Sequence, residues 1–486
     1  MRSSRECQEY GGTVIQCLHP TFRRCTLEHR PRMESPPKAV AEMPAPAREL
    51  ARRLSLGDSI AIVVGVTIGG GIFLVPNLVA RALPSVPLIL GVWVLAAAIS
   101  LIGALACAEL GAAFPSTGGQ YVFLREAYGP FAAFLCGWSS FTVTRGAQSA
   151  WLAVVFSMYT AYLAPMGPLA SKLLSLAVLA IFTWVNYRGV KLGAILMKSL
   201  TLAKVVGIFV IVVAALLLGG HTGQAAAPAA SSASLSSFGV ALIACLLAYD
   251  GWVQLSFVAG EIRNPQRNVV RALAIGTLTV TAIYLLANIA YLHVLTIPEI
   301  AASQHVGADA AGRAMGTGGG TVVSVIILLS ILGTLNGCCL TIPRVYFAQA
   351  LDGLFFRRFA DVHPRYGTPA FSIVAQSVWA AVLLLTGSYE TLIDYALFGT
   401  WIFYALMVAG VIVLRRKRAD LPRPYRMWGY PVTPLVFLAI TFWFLGNMLV
   451  NRPGPSLAGL GLILTGIPAY FIWKRSAHPQ SAGGWK

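Results

Sequence analysis

The feature that most constrains this chain is a run of three glycines, Gly69-Gly70-Gly71, set midway along an apolar stretch from about Ser59 to Ala80. A glycine in a helix interior costs roughly 1 kcal/mol relative to alanine, and three in succession leave nothing to pack, so a helix is expected to break here. At bilayer depth, lipid cannot hydrogen-bond the freed N–H and C=O groups. An opened backbone survives there only where protein encloses it or where it lines a cavity. Residues 68–72 are therefore a candidate binding site.

The composition agrees with a membrane setting. Of 486 residues, 57% are hydrophobic and 11% charged, with a mean hydropathy of +0.72, against roughly 25% charged in a soluble domain. The net charge of +18 would point to nucleic acid on a soluble chain. Here the basic residues fall between apolar spans, with no separate basic domain left to bind one. Eight cysteines are too scattered for a disulfide framework. Cys107, Cys136, Cys245, Cys338 and Cys339 sit in apolar runs and read as small buried thiols. Cys7, Cys17 and Cys25 lie with His19 and His29 in a polar leader whose spacing matches no compact zinc site. That leader, residues 1–50, is rich in Arg, Pro, Glu and Ser and lacks an apolar signal core, so it reads as a disordered cytoplasmic extension.

Apolar spans of the length needed to cross a bilayer, about 20 residues, run near 58–82, 87–113, 130–163, 168–187, 190–219, 236–261, 270–296, 320–350, 369–388, 391–414, 432–450 and 456–474. Twelve crossings put both termini on one side. Taking that side as cytoplasmic gives the inner loops Arg125, Arg188, Lys191, Arg263, Arg267, Arg271, Arg357, Arg358, Arg365 and the basic cluster at 415–418. The outer loops keep little more than Arg81, Lys172, Arg313 and Arg452. The positive-inside rule thus orients the chain in a plasma or inner membrane.

The sixth span carries a second odd centre, Leu247-Ala-Tyr-Asp-Gly-Trp252, with an acid and a glycine in mid-membrane. Five spans separate the two interruptions, and an odd number inverts the second half relative to the first. Paired interrupted helices are the sequence pointer to the inverted repeats of secondary transporters. Helices 1–5 would occupy 54–219 and helices 6–10 residues 236–415, with helices 11–12 appended at 432–474 and a cytoplasmic tail at 475–486.

A half-helix starting near Gly70 points free N–H groups and a positive dipole end into the cavity, which suits a carboxylate. Half-helices ending near Thr67 and near Asp250 expose carbonyls, which suit an ammonium. Together they select a zwitterion, an α-amino acid. Close helix packing through Gly65 and Gly69 is the plain alternative, and it explains contact but not three adjacent glycines. A nucleotide loop fails on context, since the glycines follow no strand and lack the Lys-Ser/Thr of a phosphate loop.

Three charges lie deeper than casual placement allows. Asp250 is either satisfied by neighbouring backbone N–H groups or faces the substrate, favouring cationic or polar side chains. Lys204, about ten residues inside the fifth span, either takes the place another transporter gives to Na⁺, changes charge because burial desolvates it, or is structural, in an ion pair or reaching the cytoplasm. Lys198, nearer the end, snorkels. Arg145, central in the third span, lines the pathway or, as the favoured reading, braces carbonyls of an unwound helix. Tyr249, Trp252 and Phe73 flank the interruptions as gates or as packing.

Several blocks in this order resemble the amino acid–polyamine–organocation transporters, and among them the L-type amino acid transporter branch. They are Gly69-Gly-Gly-Ile-Phe73, Ala108-Glu-Leu-Gly-Ala-Ala-Phe-Pro-Ser-Thr-Gly-Gly119, Ala248-Tyr-Asp-Gly-Trp252, Gly260-Glu-Ile-Arg-Asn-Pro265, Pro343-Arg-Val and Asp352-Gly-Leu-Phe-Phe356. The resemblance covers roughly residues 50–475 and implies an all-α, LeuT-like 5+5 inverted repeat with discontinuous helices 1 and 6, working by alternating access. By position it assigns the α-carboxylate to backbone at Ile68, Gly69, Gly70 and Gly71, and the α-amine to carbonyls near Thr67, Leu247 and Asp250, with Tyr249 and Trp252 adjoining. Lys204 matches a lysine beside a vacant sodium site. Glu109, Arg125, Glu126, Glu261 and Arg263 fall in the cytoplasmic gate network. Gly70 stands where the family often has serine, and Leu247 where it often has an aromatic gate. Residues 161–172 lack the cysteine through which animal members bind a glycoprotein, so no disulfide-linked heavy subunit is expected.

The expected function is a sodium-independent amino acid transporter, either a proton-linked importer or an exchanger. The alternatives are an amino acid sensor that binds without flux and a cationic amino acid or polyamine transporter. No nucleophile–base pair or metal cluster is legible at membrane depth, so no enzymatic chemistry, cofactor or metal is expected.

Overall fold

The computed structural model describes residues 50–220, 234–387 and 389–476. The leader with its three cysteines and two histidines, except Leu50, lies outside the described residues, as do residues 477–486 of the tail. Among the described residues the regular structure is helical, apart from one parallel bridge between Leu54 and Ile262.

In chain order the helices are α1 (Leu56–Thr67), α2 (Gly71–Ala82), α3 (Val86–Ala113), α4 (Gln120–Tyr128), α5 (Pro130–Ser139), α6 (Arg145–Leu163), α7 (Pro168–Arg188), α8 (Val190–Leu218), α9 (Leu235–Ala248) and α10 (Gln254–Phe257). There follow α11 (Pro265–Val294), α12 (Ile297–Ala302), α13 (Val306–Met315), α14 (Gly319–Thr341), α15 (Pro343–Leu351), α16 (Ala370–Thr386), α17 (Tyr389–Lys417), α18 (Val432–Asn451), α19 (Pro453–Leu464) and α20 (Gly466–Ser476). Eight helical segments are long and apolar enough to cross a bilayer, or nine when α1 and α2, bent by 41° at their break, are taken as one. The three other expected spans take different forms. Residues 130–163 are interrupted by a π-helical turn at Ser140–Thr144, α9 stops after 14 residues, and α16 has 17.

The breaks fall where side chains stop supporting a helix. Ser55 caps α1 and Asp58 reciprocates in a capping box, while the far end closes at Thr67. Residues 68–70 are bends, and α2 restarts at Gly71. Beyond Ala248 the chain turns through 249–253, where Gly251 has φ +138°, and two short turns follow before α11: α10 and a 3₁₀ turn at Ala259–Glu261.

Packing partners repeat with a shift of five crossings. α8 lies against α14 and α13, while α17 lies against α6 and α4. Likewise α6 packs on α16, and α14 on α7. This exchange of neighbours is what an inverted repeat would produce, and it is consistent with a LeuT-like fold. The thiols of Cys107, Cys136, Cys245, Cys338 and Cys339 are free and buried.

The three glycines do different work. A Cβ on residue 71 would lie 2.9 Å from the Ala248 Cα and 3.0 Å from its Cβ, so α2 and α9 approach backbone to backbone. At residue 70 a Cβ would meet only Leu74 and Val155 at ordinary contact distance. Gly71→Ala should therefore destabilise the detergent-purified protein by about 1–3 kcal/mol, the usual penalty for overpacking. Gly70→Ala should melt within a degree or two of the parent, and equal melting temperatures for the two variants would contradict the assigned contact.

Candidate functional site

The end of α1 is held by a lysine rather than by solvent. Lys204, fully buried on α8, donates from Nζ to the carbonyl oxygens of Gly65 at 2.8 Å, Ile68 at 2.6 Å and Ser330 at 2.9 Å, with Thr334 Oγ1 at 3.5 Å. Ser330 Oγ donates to Ile68 or Gly69, and Thr334 Oγ1 sits 3.1–3.2 Å from the oxygens of Gly65 and Ile68. Four oxygens within 3.5 Å of one point make a cage for a monovalent cation, and the ammonium fills it. Lys198, half exposed, instead pairs with Asp58 at 2.8 Å.

Beyond the break, the amides of Gly70, Gly71 and Ile72 have no protein acceptor, because the first turn of α2 cannot reach back to one. The Val66 carbonyl has lost the Gly70 N–H that an unbroken helix would supply. The two interruptions face each other. Tyr284 Oη, buried on α11, lies 3.0 Å from both the Thr67 and the Ala248 oxygens, and a Cβ on Gly251 would fall 2.9 Å from the Thr67 nitrogen. Nothing in the linear sequence singles out Tyr284, Ser330 or Thr334, since each sits in an apolar span where a hydroxyl is unremarkable.

These groups border a cavity of about 730 Å³, lined at depth by Val66, Thr67, Gly69, Gly70 and Gly71 on one side and by Ala244, Leu247, Ala248 and Asp250 on another. Arg145 and Gln148 of α6 and Thr400 of α17 complete it, and it extends to the exposed residues Arg81, Asn451 and Arg452. Of the nine residues expected to bind substrate, Ile68, Tyr249 and Trp252 do not line it. The Ile68 carbonyl is taken by Lys204, Tyr249 packs in a cluster with Trp93 and Tyr284, and Trp252 packs on Tyr404. Arg145 does not brace unwound carbonyls. Its Nη1 is 3.7 Å from Asp250 Oδ2, and its Nη2 donates to Tyr404 Oη at 3.2 Å. Nor does backbone satisfy the Asp250 side chain, which accepts from Tyr404 Oη.

On the basic face the same helices are shut. Leu54 N–H bonds to the Glu261 oxygen and Arg263 N–H to the Leu54 oxygen, both at 2.9 Å. The Glu261 carboxylate pairs with Arg344 Nε at 2.8 Å, both residues being fully buried. Arg125 pairs with Asp352 and Glu126, and Arg418 with Glu126. Glu109 receives Arg415 at 2.9 and 2.6 Å together with the Met427 N–H at 2.6 Å, tying α3 to the last turn of α17 and to the segment after it. Arg263 joins through its backbone alone, its side chain being exposed. Arg344 supplies the guanidinium, and its only linear signal is its place in the Pro343-Arg-Val block. On the opposite face α12 and α13 cover the end of α2. There Arg313, and after it the Thr296 cap, holds the Glu299 carboxyl down to about 2. A depressed carboxyl stabilises above its usual range, so this clasp weakens only as pH falls toward that value.

Among the described residues, no group of three or more His, Cys, Asp or Glu is placed to hold a metal ion. The family model for amino acid permeases matches residues 54–471. The chain is 33% identical to the serine/threonine exchanger SteT of Bacillus subtilis, over 88% of this chain and 98% of that protein. It is 31% identical to the human b(0,+)-type amino acid transporter 1, over 90% of this chain and 91% of the relative. The human cystine/glutamate transporter is 29% identical, over 87% of this chain and 86% of its own length.

Three substitutions probe this geometry, the two lysine variants by flux in reconstituted vesicles and the glutamate variant by hydrogen exchange. Lys204→Ala removes the ammonium from its oxygen cage and should abolish most flux, whereas Lys198→Ala, at a half-exposed pair, should retain most of it. Near-native flux in both would take Lys204 out of the mechanism. Glu261→Gln leaves Arg344 buried without its counter-charge, a loss of about 3–5 kcal/mol, and should raise amide hydrogen exchange across 254–262. Unchanged protection there would remove the pair from the closure of this face.

Proposed function

Because the chain belongs to the amino acid permease family, we propose that it carries amino acids by alternating access, gripping the zwitterion between the two interrupted helices. The observation that carries this reading is the set of unclaimed backbone groups around one cavity. The Gly70, Gly71 and Ile72 amides at the positive end of α2 suit the α-carboxylate. The Val66 carbonyl suits the α-ammonium, as does the remaining lone pair of Leu247, whose oxygen already accepts from the Asp250 N–H at 3.2 Å. Since Gly70 brings no hydroxyl, carboxylate binding rests on backbone alone. Leu247 offers an apolar lid rather than a stacking aromatic.

Transport is sodium-independent in this reading, because the Lys204 ammonium already occupies the oxygen cage between α1 and α14 that a hard monovalent cation would need. Repeat 1 spans 54–219 and repeat 2 spans 236–415, with the interrupted and shorter segments counted as crossings to give twelve. With the basic face cytoplasmic by the positive-inside rule, both termini lie inside the plasma membrane and the cavity opens outward. The Glu261–Arg344 pair, the Leu54–Ile262 bridge and the Glu109 clamp then form the inner gate. No disulfide-linked heavy subunit is required.

Uptake of labelled amino acids into sodium-free liposomes is the deciding experiment. Accumulation driven by an imposed pH gradient into empty vesicles identifies proton symport, and uptake that requires internal amino acid identifies exchange. Binding without either identifies a sensor. Gly70→Leu should abolish binding by filling the space before the α2 amides, and retained affinity in that variant would contradict the site.

A further inference from the structure

The wall of the cavity opposite the α2 amides carries both signs of charge. Arg145 begins α6 immediately after the π-helical turn at Ser140–Thr144, which adds a residue to the helical turn and re-aims the side chains beyond it. Asp250 lies in the turn after α9, and both residues line the cavity. Tyr404, buried on α17, joins them, donating from Oη to Asp250 Oδ1 while accepting from Arg145 Nη2 at 3.2 Å. Gln148 Oε1 accepts from Arg145 Nη1 at 3.1 Å and from Gln254 Nε2 at 3.1 Å, and Gln254 in turn accepts from Thr341. The guanidinium also rests over the Phe257 ring at 5.7 Å.

The remaining contact is loose. Arg145 Nη1 and Asp250 Oδ2 stand 3.7 Å apart, where a direct charge-assisted hydrogen bond would measure about 2.7–2.9 Å. That gap is too long for a good bond between the two. It is suited to a group that both accepts from the guanidinium and donates to the carboxylate, as a hydroxyl or a primary amide does.

We infer that Arg145 and Asp250, positioned by Tyr404 and Gln148, form a self-neutralised subsite for the substrate side chain. It selects uncharged, hydrogen-bonding amino acids and rejects cationic and anionic ones. The inference rests on the zwitterion reading of the same cavity. A lysine or arginine side chain entering here meets a carboxylate already compensated and a guanidinium that repels it. A glutamate meets the mirror image. Rejection comes from the unfavourable charge each intruder faces, and not from the size of the cavity, which would admit either. Removing one member of the pair leaves the other as an uncompensated charge that a substrate of opposite sign can satisfy.

The test is competition of serine, arginine and glutamate against labelled serine, with full-length protein in proteoliposomes. The parent should prefer serine to both charged competitors. Asp250→Asn, close to isosteric, should raise glutamate affinity about tenfold or more, the scale of one recovered charge contact at low local dielectric. Arg145→Leu should do the same for arginine, and the double variant should show neither gain. The Asp250→Asn arm stands alone if Arg145→Leu does not fold. A parent that takes arginine or glutamate as well as serine overturns the subsite, as do single variants that keep the parental rank order. In either case serine binding would leave the zwitterion site standing. A parent that binds no amino acid overturns both.

Discussion

The structure turns on how the carbonyl oxygens at the end of α1 are satisfied in a medium that offers no water. Ending a helix inside a bilayer strands several backbone acceptors, and each would be costly in lipid. Here a single ammonium, Lys204, takes three of the surrounding carbonyls, and the hydroxyls of Ser330 and Thr334 share them. The lysine is itself tolerable at that depth only because every direction of its charge meets oxygen. Break and lysine therefore require one another, and α8 and α14 are fixed to α1 through them.

With every carbonyl of that end but Val66's held by the protein, the proposed ligand is left that one oxygen and the amides of α2. That asymmetry explains how a break can be both stable and functional. Tyr284 does a related task at the crossing point, its one hydroxyl standing between the Thr67 and Ala248 oxygens. The two interruptions are thus held in register by Tyr284, which does not line the cavity. A ligand adds to a framework that is already satisfied, which is the condition for binding energy to be spent on orientation and not on assembly.

The charged residues divide by depth into distinct roles. Glu261–Arg344 is buried on the basic face, where losing either partner would leave the other charge uncompensated. Arg125, Glu126 and Arg418 form a partly solvated network nearer the surface, worth little pair by pair. Arg145 and Asp250 stand at the cavity itself. Gln148 and Gln254 bridge from that pair toward α10 and α14, so the side-chain end of the cavity and the inner half of the second interruption share one hydrogen-bonded chain.

Local chemistry was enough to determine the membrane class, the two breaks, their facing polarity and the depth of Lys204, Arg145 and Asp250. Each comes from a rule that acts along the chain: glycine unsupported in a helix, a charge inside an apolar span, basic residues gathered in alternate loops. The partners were decided only by the tertiary structure. That Arg344 and not Arg263 meets Glu261, that Arg145 meets Asp250 from a distant helix instead of bracing backbone, and that Tyr249 and Trp252 turn away from the cavity all depend on helix rotation. The same holds for Gly71, whose contact with Ala248 exists only because α2 and α9 are brought side by side. Linear order records which residues cannot be left unsatisfied in lipid, while packing alone decides which distant group satisfies them.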